Sequence, residues 1–202
     1  TEGAINRTLD LLLTSNTMIC AEIILPVHHN LISNEKDVSS IKKIYSHTQS
    51  LSQCHQWLLN HAPGIELQSI SSNAEAVKIA SKEKGAAAVA SNRAAALFNV
   101  PLLAENIEDD PKNSTRFLVI SNHEVKPSGL DKTSIIVAAK NQPGAIASMI
   151  EPFAKNKVSM TKLESRPSKT GLWEYVFFID VEGHMADSKV AESLKEIESK
   201  AS

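Results

Sequence analysis

The chain has 202 residues, of which 42% are hydrophobic and 22% charged, a balance that suits one large or two small globular domains. A formal net charge of −2 supplies no field for nucleic acid or an anionic membrane, and 4% aromatic residues leave little to stack on bases. An anionic ligand would therefore need local cations and donors.

The first residues, Thr1-Glu2-Gly3, show neither the basic start nor the apolar core of a signal peptide. No apolar stretch approaches the ~18 residues that a membrane-spanning helix needs. Ile5, Leu9, Leu12 and Leu13 share a helical face. So abrupt an opening reads as a chain cut from something longer. Residues 18–33 are β-branched and apolar and predict a strand; 34–37 form a polar loop; 43–47 predict a short strand. Residues 49–61 predict a helix with Leu51, Cys54, Leu58 and Leu59 on one face, stopped by Ala62-Pro63-Gly64. A strand is expected at 65–70.

Ser72-Asn73-Ala74-Glu75 matches a capping box, so a helix runs from there to about residue 84 and ends at Gly85. The small apolar run 86–90 predicts a buried strand and 92–98 a short helix, and Pro101 breaks the segment after it. Residues 106–113 are polar and acidic. Asn113-Ser114-Thr115-Arg116-Phe117 then opens the apolar run Leu118-Val119-Ile120, another strand. Strands alternating with helices imply βαβ units and a mainly parallel sheet, whose ligands sit at the carboxyl ends of strands. Ser46-His47 falls at such an end.

Residues 122–132 carry Pro, Gly and charge without periodicity and read as a linker. A second pattern begins after it: a strand at 133–139, a turn at Gln142-Pro143-Gly144, a helix through 155, a strand at 158–164, an aromatic strand at 173–181 and a helix from 187 to about 200. This β-α-β-β-α order lacks only a final strand to be ferredoxin-like.

Two polar clusters stand out. In residues 45–54, Ser46 and Gln53 lie near a strand-to-helix turn where free N–H groups suit a carboxylate; simple capping by Thr48 or Ser50 explains the same residues. In the second, Thr115 supplies a hydroxyl and Arg116 a fork suited to carboxylates; the alternatives are a water-facing strand, or an ion pair from Arg116 to Glu105 or Asp109. Phe117 is expected to pack beneath. Cys20 and Cys54 fit no disulfide framework or metal motif and read as packed small residues in a reducing compartment. His28, His29 and His55 lack metal-ligand spacing and read as solvated or packed, so no metal is expected.

Five blocks, in order, resemble the prephenate dehydratase family with its C-terminal ACT regulatory domain. They are residues 1–12, Ser46-His47-Thr48-Gln49 through Gln53-Cys54, residues 113–117, residues 141–146 (Asn-Gln-Pro-Gly-Ala-Ile), and Leu163-Glu164-Ser165-Arg166-Pro167. Thr48 replaces the family's usual Pro, and Ile146 a common Leu. The family's upstream Gly-Pro-x-Gly-Thr-type loop, its Glu-Asn dipeptide and the last ACT strand have no counterpart here. The resemblance thus implies a fragment, with weak or no turnover by residues 1–202 alone.

It also implies an α/β fold: part of a two-lobed catalytic domain resembling periplasmic binding proteins (1–121), a linker (122–132) and a ferredoxin-like ACT domain (133–202). The implied activity is that of a hydro-lyase in L-phenylalanine biosynthesis, converting prephenate to phenylpyruvate without a cofactor and inhibited by L-phenylalanine. Thr115 would be catalytic; Ser46, Gln53, Arg116 and Phe117 would bind substrate. Asn141, Gly144, Ala145, Ile146, Glu164, Ser165 and Arg166 would bind the effector between two ACT domains. A cytoplasmic homodimer or larger assembly is implied, with no nucleic-acid or membrane partner. The alternative is a non-catalytic amino-acid-binding regulatory protein.

Overall fold

The computed structural model describes residues 6–139, 142–168 and 175–200. In chain order the elements are α1 (Asn6–Leu12), β1 (Met18–Pro26), β2 (Asn30–Ile32), a 3₁₀ turn (Val38–Ser40), β3 (Lys43–Ser46), α2 (Thr48–Gln53), α3 (His55–His61), β4 (Glu66–Ser69), α4 (Asn73–Ala80), β5 (Ala86–Ala90), α5 (Asn92–Phe98), β6 (Leu102–Ala104), β7 (Ser114–Ser121), β8 (Lys132–Ala139), α6 (Ala145–Lys155), β9 (Met160–Pro167), β10 (Tyr175–Glu182) and α7 (Ser188–Glu198). The chain divides into two compact units. One is Glu22–Phe117; the other joins the residues up to Ala21 to those from Leu118 onward, so the boundary falls within β1 and β7.

The first unit is built on a five-stranded sheet of order β4-β3-β5-β2-β6. Its central strand explains the layering. Ala86, Ala88 and Ala90 pack with residues of α4 and α5, while Ala87 and Val89 pack with residues of α2 and α3; all five are buried. Small apolar side chains let helices cover both faces, as in parallel sheets generally. Strand β3 is parallel to β4 and β5, but β2 runs antiparallel to β5 and β6. Four strands therefore run one way and β2 alone is reversed, so the expected mainly parallel sheet carries one antiparallel strand.

Two expected elements are divided. The strand expected over 18–33 becomes β1, paired with β7, and β2, paired in the larger sheet. Pro26 has no N–H to offer a ladder and marks the break. The helix expected over 49–61 breaks at Cys54 (φ −118°, ψ 16°) into α2 and α3. A distant segment occupies the break: the Asp109 N–H donates to Gln53 O at 2.8 Å, and its carboxylate accepts the N–H groups of Gln56 (3.0 Å) and Trp57 (3.1 Å). A carboxylate at the start of α3 also complements the helix dipole. Strand β6 comes directly after Pro101, where a break was expected.

The second unit carries the antiparallel sheet β8-β10-β9. Strand β10 alternates: Phe177, Ile179 and Val181 face the residues of α6 and α7, while Val176 and Phe178 pack with Leu9 and Leu12 of α1. Asp10 of α1 meets Arg166 of β9 at 3.1 Å. Among the described residues no helix is long and apolar enough to cross a membrane.

Candidate functional site

The register of the first sheet gathers polar residues at one edge. Strands β3, β4 and β5 end at Ser46, Ser69 and Ala90, and α2, α4 and α5 start just beyond. Strand β2 runs the other way, and its first residue, Asn30, pairs with Ala90. His28 and His29 therefore reach the same carboxyl edge, the usual place for a ligand in an α/β sheet.

Asn73 ties the turn after β3. Its Oδ1 accepts from Ser46 Oγ and from the His47 N–H, each at 3.0 Å, and its Nδ2 donates to Ser50 Oγ at 2.8 Å. Ser46 Oγ also lies 2.6 Å from Val89 O and has no exposed surface. The hydroxyl expected to face a ligand faces the protein. The cap of α2 is neither Thr48 nor Ser50: His47 Nδ1 accepts the Gln49 N–H at 3.3 Å, and the Thr48 hydroxyl bonds that of Ser69.

Gln53 meets a residue far away in sequence. Its Oε1 lies 2.8 Å from Nε2 of buried His29. The His29 N–H donates to Glu108 Oε2 at 2.9 Å, and His28 Nδ1 lies 2.7 Å from Glu108 Oε1. The Ile107 N–H donates to His29 O at 2.8 Å. Two steps before His29, the Val27 N–H donates to Asn113 O at 2.9 Å, which links this corner to the residue preceding β7. His29, expected to be solvated or packed, is packed and also hydrogen-bonded. Neither it nor Glu108 was singled out as a site residue, because their partners lie 24 and 79 positions away.

Strand β7 separates the residues that stand side by side in sequence. Alternation puts Thr115 and Phe117 on one face and Arg116 on the other. Thr115 is half-buried, and its hydroxyl takes no partner among the described residues. Arg116 Nε donates to Glu22 Oε2 of β1 at 2.5 Å, so its ion pair is with neither Glu105 nor Asp109. Phe117 is 50% exposed rather than packed beneath the site. Within the first unit, hydrogen bonds connect Gln53 through the 27–29 step to the segment carrying Thr115; buried Ser46 bonds Asn73 and Val89 instead.

The electrostatics reflect burial. Removal from water disfavours ionised Glu108, but hydrogen bonds from His28 and from the His29 N–H outweigh this and hold its carboxyl below the ordinary range. Burial, reinforced by Asp109 and Glu108, pushes the Cys54 thiol up to about 12, so it is inert at neutral pH. Cys20 is likewise a free thiol. No cluster of three or more metal-ligating side chains occurs among the described residues.

In the second unit the register Ala139–Tyr175–Pro167 brings the end of β8 and the end of β9 to one end of the sheet. Gly144, at φ +82°, begins α6 with open space where a Cβ would stand. Glycine suits that left-handed conformation and leaves the backbone approachable. Ala145 is partly buried, Ile146 is 45% exposed and Ser165 is exposed. Glu164 pairs with Lys162 at 3.1 Å, and Arg166 is the residue that meets Asp10. Asn141 lies outside the described residues.

Comparison with known proteins adds identity to this geometry. The prephenate dehydratase family profile matches residues 1–125, and the ACT domain profile matches residues 133–199. The chain is 46% identical, over 205 residues, to a bifunctional chorismate mutase/prephenate dehydratase of Neisseria gonorrhoeae, covering all of this chain and 57% of that protein. It is 36% identical to a prephenate dehydratase of Methanocaldococcus jannaschii, covering 98% of this chain and 72% of the relative. A crystal structure of prephenate dehydratase from Arthrobacter aurescens in complex with L-Phe superposes with a TM-score of 0.83 at 31% identity, over 99% of this chain and 68% of that one. The chain thus spans little more than half the length of the bifunctional relatives it matches.

The network around Glu108 generates a pH-dependent prediction. Its folded pKa lies below the ordinary 4.5, so its stabilising contribution is complete above pH 4.5 and is lost as pH falls through the lower folded value. Glu108→Gln should lower the melting temperature at neutral pH, and this deficit should shrink on acidification below 4.5. Thermal melts across that range check it; a deficit that stays constant would contradict the role given to the charge.

Proposed function

The chain belongs to the prephenate dehydratase family, and from that premise we propose that it converts prephenate to phenylpyruvate, with an ACT domain through which L-phenylalanine inhibits the reaction. The observation that best supports the catalytic half is the hydrogen-bonded connection from Gln53, through residues 27–29, to the segment bearing Thr115. It ties a carboxamide donor and a hydroxyl that has no partner among the described residues to the same corner of one unit.

The chemistry asks for few protein groups. The bond between the ring and its carboxylate breaks, and the electron pair enters the ring. The bond to the ring hydroxyl breaks in turn, and that oxygen takes up a proton. Carbon dioxide and water leave, and aromatisation supplies the drive, so no cofactor is needed. The protein has to hold carboxylates and place a donor beside the departing oxygen. A threonine hydroxyl is a weak acid, so Thr115 acts by a short hydrogen bond or by relaying a proton. Gln53 offers its amide hydrogens to a carboxylate. Glu22 competes for the Arg116 guanidinium, which makes Arg116 a weaker clamp than its sequence motif implies. Phe117, half-exposed, offers an apolar surface to a ring.

For regulation, support comes from the ACT match and from the register that brings the Gly144 loop and residues 164–167 to one end of a sheet. Gly144, Ala145 and Ile146 would meet the effector from the start of α6, and Glu164, Ser165 and Arg166 from β9, with Asn141 completing the motif. A catalytic domain over 1–121, a linker over 122–132 and an ACT domain over 133–202 form part of this reading. So do a cytoplasmic location and assembly as a homodimer or larger. Inhibition results if L-phenylalanine binds one arrangement of the assembly better than the other.

Two measurements test the proposal. Thr115→Ala should lower phenylpyruvate formation about ten-fold or more with little change in melting temperature; near-normal turnover would end the assignment of Thr115. L-Phenylalanine should raise the melting temperature of the unsubstituted protein, because a ligand of the native state stabilises it. No shift at saturating ligand would remove the regulatory site. A shift without any phenylpyruvate would favour a non-catalytic amino-acid-binding protein.

A further inference from the structure

We propose that His29 is a positioning residue that holds the Gln53 carboxamide with its NH2 edge turned toward the substrate, where it takes a carboxylate oxygen. The inference rests on the dehydratase reading and assigns a role to a side chain that lies outside all five family blocks.

The direction of the bond comes from chemistry. Gln53 Oε1 is a carbonyl oxygen and only accepts, so the proton of the 2.8 Å contact sits on His29 Nε2. His29 is itself fixed. It is 4% exposed, its N–H is held by Glu108 and its carbonyl by the Ile107 N–H. Gln53 is fixed at its backbone, where its carbonyl accepts from Asp109. With the proton on Nε2, a flip of the carboxamide would set NH2 against an N–H; a proton on Nδ1 would instead bury an unpartnered donor there. The amide hydrogens of Gln53 take no partner among the described residues, and the side chain is only half-buried. The result is a pair of oriented donors at the carboxyl edge of the sheet.

The other ring nitrogen strengthens the case. His29 Nδ1 is buried and has no partner among the described residues. Burying an unpaired polar atom destabilises the fold, and phenylalanine would fill similar space without that cost. Packing alone therefore does not account for a histidine here; the bond to Gln53 does.

A double-mutant cycle on the whole chain tests this. His29→Phe removes the donor and keeps the bulk, and His29→Gln returns an N–H at similar reach. His29→Phe should raise KM for prephenate about ten-fold, the size expected for a misplaced hydrogen bond to a charged group, with kcat within about two-fold. His29→Gln should recover most of the loss. In a Gln53→Ala background His29→Phe should cost nothing more, because it acts through Gln53. An unchanged KM, or losses that multiply, would overturn the proposal.

Nitrogen-15 NMR of the unsubstituted protein needs no variant, so it decides the matter even if His29→Phe fails to fold. The imidazole should carry its proton on Nε2, and the Gln53 side-chain amide should give sharp, restrained signals. A proton on Nδ1, or a freely averaging amide, would overturn the proposal. Absence both of phenylpyruvate and of saturable prephenate binding by the unsubstituted protein would sink the dehydratase reading alone and leave the spectra to decide whether His29 holds Gln53.

Discussion

Between the end of β1 and the start of β2 the chain has residues 27–29 in which to leave one sheet and enter another, and the carboxylate of Glu108 holds that step. A buried carboxylate is costly unless its oxygens are paired. Here each oxygen has a partner, one the His29 backbone and the other the His28 ring. The neighbouring residues extend the stitch: Ile107 bonds the His29 carbonyl, and Asp109 caps α3 and bonds the Gln53 carbonyl. One short acidic segment thus fixes where His29 points, where Gln53 sits and where the helix breaks.

That constraint explains why the proposed site residues lie where they do. The sheet supplies a rigid edge, because β5 is buried on both faces and admits no large side chain. The turns at that edge supply the polar groups, which suits a site on loops positioned by a scaffold. Ser46 and Asn73 brace the turn. Gln53 and the segment leading into Thr115 present donors. Fold alone does not determine chemistry, and the dehydratase reading rests on this arrangement together with the family to which the chain belongs.

Much of the frame was legible in sequence. The run 86–90 reads as a buried strand, the Ser72 cap reads directly, and 173–181 reads as an aromatic strand. The features that stayed hidden depended on long-range contacts. Nothing near Cys54 signals a helix break, because Asp109 causes it through bonds to residues 52 to 56 positions away. Arg116 found Glu22, 94 positions earlier, instead of the nearer acids. No local signal marks β2 as the strand that runs against the other four. Adjacent letters also misled: Thr115, Arg116 and Phe117 touch in sequence, yet a strand sends them to alternate faces. The motifs identified the family; the pairing of His29 with Gln53 needed the fold.

The central claim is that the edge carrying Gln53 and the segment entering β7 together receive the substrate. The most direct test is an NMR titration of the Thr115→Ala protein with prephenate. The account predicts saturable shifts concentrated at His29, at the Gln53 side chain and across residues 113–117. Saturable shifts elsewhere that leave those positions unmoved would contradict it.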